Sequence, residues 1–134
     1  MANAFYTKGK EKILSGSINW VTDTIKAMLV KNTYPQNLAT DEFVADISAY
    51  RLNTDQTLGS KSVTGGVFDA GDITYSAVTA GDTSEGVVIY KDTGAEATSP
   101  LLMYIDTITG FPLATNGGDI TVTWDNGSYK IFSL

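Results

Sequence analysis

From Tyr50 onward, short apolar stretches alternate with clusters of Gly, Asn, Asp, Ser and Pro, and this rhythm constrains the fold more than any other feature. Stretches too short for stable helices, closed off by turn residues at near-regular spacing, predict strands of a sandwich or barrel. The candidates are Tyr50-Arg51-Leu52, Lys61 to Thr64, Ile73 to Val78, Val87 to Lys91, Leu101 to Asp106, Ile120 to Trp124 and Tyr129 to Leu134. Val87 to Tyr90 and Leu101 to Ile105 are apolar on both faces, so they belong at the centre of a sheet or at a subunit contact. Gly71-Asp72, Gly81-Asp82 and Gly118-Asp119 read as turn exits that lead into strands. Asn126-Gly127 is the preferred pair for a type I′ turn. It predicts a terminal hairpin that pairs Trp124 with Tyr129 and Val122 with Ile131.

The first half is less uniform. The first fifteen residues have weak helical character, and Phe5, Tyr6, Ile13 and Leu14 would share a face. Gly9 costs such a helix about 1 kcal/mol relative to Ala. Ile25, Ala27 and Leu29 alternate with Lys26 and Met28, and Val30 extends the run, as in a strand with one face buried. Thr40 is placed to cap a short helix near residues 40–48, with Asp41 and Glu42 in its first turn and Phe43, Val44 and Ile47 inside. The expected architecture is mainly β: one antiparallel β-sandwich over residues 1–134, jelly-roll or immunoglobulin-like, with residues 1–17 as an N-terminal arm or short helix.

Composition removes several chemistries. The chain has no Cys and no His. Disulfides, zinc and copper sites of the usual N/S type, Cys nucleophiles and Ser-His relays are therefore out. No signal-like or membrane-spanning apolar run is visible, so the chain reads as soluble, without a membrane partner. Net charge is −6, unevenly placed: residues 1–32 carry five lysines against two acids, the rest four basic against thirteen acidic groups. The acidic body disfavours nucleic acid, and the basic segment holding Lys8, Lys10 and Lys12 is either a solvated arm or a contact for an acidic surface.

Asp69-Ala70-Gly71-Asp72 sets two carboxylates in one tight turn. Asx-turn chemistry explains both, with a Ca²⁺ site as the alternative; the spacing falls short of an EF-hand loop. Fourteen aromatic residues suit a sandwich core or an interface. A glycan-binding face would need them exposed on loops, where Tyr34, Phe111 and Trp20 are the candidates.

Across nearly its whole length the chain resembles small structural proteins of tailed-phage particles. The segments that carry the likeness are Phe5 with Lys8-Gly9-Lys10-Glu11-Lys12, Leu14 to Trp20, Asp23 to Lys26, Asn37 to Phe43, Val88 to Gly94, Ser99 to Leu101, and Pro112 with Asn116 to Gly127. Asn19 departs from the pattern, where an acid is expected after Ile18. The resemblance implies a virion component without enzymatic activity or cofactor, of the capsid decoration or cement type. Such a protein is made in the bacterial host cytoplasm and placed on the outer capsid surface. Its expected partners are the major capsid protein and further copies of itself, as a homotrimer. A tail or neck position, with a receptor- or glycan-binding role, is the alternative. On this reading Phe5, Tyr6, Lys8, Lys10 and Lys12 form the docking segment.

Overall fold

Strands in the middle of a sheet covered on both sides must be apolar at successive positions, as Val87 to Tyr90 and Leu101 to Ile105 are. In the computed structural model, which describes residues 3–125, 127 and 130–133, these two stretches sit side by side at the centre of a six-stranded sheet. In chain order the elements are β1 (Ala4–Phe5), α1 (Thr7–Leu14), β2 (Ile25–Lys31) and α2 (Val44–Ile47), which runs into a 3₁₀ turn at Ser48–Tyr50. Then come β3 (Gln56–Thr57), β4 (Ser62–Thr64), β5 (Val67–Asp69), β6 (Ile73–Tyr75), β7 (Thr83–Lys91), β8 (Leu101–Ile105), β9 (Leu113–Ala114), β10 (Ile120–Val122) and β11 (Phe132–Ser133).

The main sheet has the order β1-β8-β7-β2-β3, with β9 continuing beside the start of β7. All its described pairings are antiparallel. Alternation along β2 and β7 sorts their side chains into two cores. Ile25, Ala27, Leu29, Val87 and Ile89 face one side, packing against Phe68 of β5, Tyr75 of β6, Val122 of β10 and Phe132 of β11. Those four strands belong to two smaller sheets, β10-β6 and β11-β5-β4, which close a β-sandwich over this face. Met28, Val30, Val88 and Tyr90 face the other side, where Tyr6, Tyr34, Val44 and Ile47 cover them. The molecule is mainly β, and the all-apolar strands are central.

Polar side chains tie the connecting loops to this frame. Arg51 Nε and Nη2 donate to the two carboxylate oxygens of Asp55 at 2.8 and 2.9 Å, and Nη2 also donates to Glu96 at 2.7 Å. Lys91 reaches the Ser17 carbonyl at 3.0 Å and the Asp23 carboxylate at 3.2 Å. Asp23 in turn accepts the Asn19 backbone N–H at 2.7 Å, which fastens the segment between α1 and β2.

Several local expectations need correction. Phe5 and Tyr6 precede the helix, because β1 pairs with β8 through Ala4↔Tyr104 and Phe5↔Met103. Leu14 is 87% exposed and does not share their face. The second helix begins at Val44: Asp46 accepts the N–H groups of Glu42 and Phe43 at 3.1 and 2.9 Å, so it performs the capping expected of Thr40. Tyr50-Arg51-Leu52 forms only an isolated bridge, Val30↔Arg51, in place of a strand. Of the predicted terminal hairpin, Asn126, Ser128, Tyr129 and Leu134 lie outside the described residues. Among those described, Val122 pairs with Ile73, not with Ile131, and Phe132 beside Ile131 pairs with Phe68, so the two predicted strands enter different sheets. Aromatic packing explains the choice, since Phe132 meets Phe5 and Trp20 at ring-centroid distances of 4.9 and 4.8 Å.

Candidate interaction surface

The N-terminal segment is divided by burial. Tyr6 is fully buried and Phe5 half-buried, so these two residues anchor the segment. The Tyr6 hydroxyl lies 2.8 Å from that of Tyr34, which donates to Asp41 at 2.7 Å. Asp41 also accepts the Asn37 N–H at 3.1 Å. Burial raises both phenols above the ordinary tyrosine value, so they remain protonated and serve as hydrogen-bond partners.

Helix α1 follows, and Gly9 presses its backbone onto β8. A Cβ at Gly9 would meet the Leu101 carbonyl oxygen at 2.6 Å and the Leu102 Cα at 3.0 Å. Only glycine permits this approach, and it fixes which side of the helix faces out. Thr7, Lys10, Glu11 and Leu14 are exposed, and their spacing places them along one stripe. Lys8 is paired with Glu11 at 3.4 Å. Lys12 lies 3.5 Å from Glu42 and 5.6 Å from the Phe43 ring centroid. Among the described residues Lys10 has no ion pair.

The same neutralisation extends over the basic leading segment. Lys26 meets Asp92 at 3.1 Å and Lys31 lies 3.9 Å from Asp82. Four of the five leading lysines thus face carboxylates of their own chain, which the linear charge pattern did not reveal. The exposed stripe of α1 therefore offers less free positive charge than the three lysines suggest from sequence: Lys10, with Thr7, Glu11 and Leu14 beside it.

The other candidate residues have structural duties. Asp72 accepts the Trp124 backbone N–H at 3.0 Å, while Asp69 sits on β5 opposite Ser62. Among the described residues no group of three or more acidic side chains is arranged to hold a metal ion. Tyr34 and Trp20 are each only 8% exposed, and Phe111 packs against the first core, so none offers a free ring on a loop. A cleft of about 670 Å³ opens beside β10, lined by Thr107, Thr109, Thr121 and Thr123 together with Ile108, Trp124, Asp125 and Lys130. Sequence reasoning missed it because its threonines come from separate segments. No described helix is long and apolar enough to cross a membrane. Comparison with protein-family models and with curated proteins finds no match to this chain.

Proposed function

We propose that this chain is a non-catalytic structural protein of a tailed-phage particle, a decoration protein that binds the outer face of the head lattice. The observation that carries this reading is the outward stripe of α1, where Lys10 and Leu14 stand exposed on a helix locked to the main sheet through Gly9. An element packed on the sheet that presents Lys10, without an ion pair among the described residues, near the exposed Leu14 loses little conformational entropy on docking. Resemblance to phage structural proteins along most of the chain supports the particle assignment. The net charge of −6 opposes a nucleic-acid partner. The partners are the shell protein and other copies of the chain, and three copies would suit three-fold positions, where avidity multiplies modest contacts.

The docking test uses K10E, because reversing Lys10 breaks no described ion pair. Capsids lacking the protein are mixed with wild type or K10E and sedimented at low and at physiological salt. K10E occupancy is expected to fall several-fold at low salt, with a smaller loss at physiological salt where screening has already weakened the contact. Equal occupancy of the two proteins at low salt would remove α1 as the docking element.

The threonine-lined cleft favours a second reading, a receptor- or glycan-binding module at the tail or neck. Hydroxyl-lined concavities suit neutral polyols, although the Trp124 ring is only 6% exposed and offers little stacking face. Glycan-array binding abolished by T121A/T123A, together with absence from the shell, would favour this reading over decoration.

A further inference from the structure

The β4–β5 hairpin leaves an unusual edge. Its two-residue loop, Gly65-Gly66, has φ values of 62° and 76°, the pattern of a type I′ turn, and it closes the register Val63↔Phe68. Residues directly opposite in an antiparallel pair share a face. Phe68 is 1% exposed inside the first core, yet Val63, on the same face, is 54% exposed. β4 therefore overhangs the core with an inward-directed apolar side chain that no described residue covers. Val21 adds to this corner at 42% exposed: its neighbour Trp20 packs on Phe68 at 4.9 Å, and Lys61 Nζ donates to the Asp23 carbonyl.

Natural edge strands are usually blunted by charges, prolines or bulges. Ser62-Val63-Thr64 has none of these, and among the described residues its only strand partner is β5. The unpaired side of such a strand offers backbone N–H and C=O groups to another strand.

We infer that β4 pairs antiparallel with β4 of a second copy, about a two-fold axis through Val63. The sequence is self-complementary in that register. Val63 meets its symmetry mate, and Ser62 opposes Thr64 of the partner copy, a hydroxyl pair suited to cross-strand hydrogen bonding. The central row then reads Phe68, Val63, Val63, Phe68 across the axis, continuing the apolar face without interruption. Asp69, opposite Ser62, lies in a row that ends on Val67 of the other copy, so no two carboxylates face each other across the seam. Lys61 would oppose Gly65, which has no side chain to clash. An isologous contact needs one patch to complement itself, and this strand does. The contact is small, so it is weak in solution and becomes effective where copies are held close together on a surface. It stands apart from the α1 docking proposal, and either can fail alone.

Because the chain has no cysteine, V63C introduces a single thiol placed next to its symmetry mate across the axis. The experiment compares disulfide formation under mild oxidation in full-length V63C and in L113C, whose site on β9 is exposed but away from this edge. It also follows the mass of the unmodified chain by sedimentation up to about millimolar concentration, the range for contacts of this size. V63C is expected to give a covalent dimer at least tenfold faster than L113C. The unmodified chain should move from 14.3 kDa toward twice that mass as concentration rises, while V63K, which sets two cations face to face, should stay at 14.3 kDa with an unchanged far-UV spectrum. Cross-linking of V63C no faster than L113C, a mass that does not depend on concentration, or self-association that V63K leaves unchanged would each overturn the two-fold pairing.

Discussion

Replacing Arg51 by Met removes the cation from the network over the second core while keeping most of the side-chain stem. Asp55 has a side chain only 9% exposed, and it would keep the Tyr90 hydroxyl but lose both guanidinium hydrogen bonds. Breaking a fully buried pair on one side costs about 3–5 kcal/mol, since it strands a charge away from water. Arg51 is itself 26% exposed, so water can enter the vacated space and the cost should fall to about 2–3 kcal/mol. Glu96 is half-exposed and adds under about 1 kcal/mol. For a chain of this length, the loss corresponds to a Tm lower by roughly 8–12 °C, measured by calorimetry at neutral pH. E96Q should move Tm by only a few degrees. R51M/D55N should recover part of the R51M loss, because the stranded charge is gone, giving a coupling of about 2 kcal/mol in the double-mutant cycle. A Tm drop of under about 2 °C for R51M, or an additive double mutant, would refute the claim that this network holds the loops.

Two further predictions follow from the same frame. G9A should lower the urea midpoint, at a cost of about 1–3 kcal/mol for pushing α1 off β8, although alanine is the better helix former by about 1 kcal/mol; an unchanged or higher midpoint would show that the close approach is not needed. Asp23 is held below the usual carboxylate range first by the Asn19 N–H, with Lys91 also contributing, and Asp92 is lowered first by the Gly94 N–H and then by Lys26. Both contribute stability that is present above the unfolded carboxylate value and lost as pH falls through the lower folded values. Denaturation midpoints should therefore decline as pH drops below about 4, and D23N/D92N should be less stable than wild type at pH 7 but lose less on acidification. Parallel acid profiles for the two proteins would contradict the linkage.

Legibility from the sequence followed the range of the interactions involved. Strands β7 and β8 were readable because double-sided burial writes itself as an unbroken apolar run, and each Gly-Asp pair does precede a strand. Gly65-Gly66, flanked by Val63-Thr64 and Val67-Phe68, carries a hairpin signal as strong as Asn126-Gly127, and β4 and β5 pair across it. Local turn chemistry cannot say which sheet a strand joins, so the pairing of Phe132 with β5 came from aromatic contacts between distant segments. Gly9 looked like a helix defect because its purpose, contact with the Leu101 carbonyl, lies over ninety residues away in the sequence. The candidate surface was half legible for a similar reason. Lysine clustering is visible in a linear sequence, but the carboxylates that neutralise Lys12, Lys26 and Lys31 come from elsewhere in the chain.

The most direct test of the central claim is cryo-electron microscopy of heads that lack the protein, reconstituted with the purified chain. The account predicts density at defined symmetry axes on the outer shell, with α1 turned toward the lattice and Lys10 and Leu14 at the contact. Bare shells, with density on the tail or none at all, would contradict it.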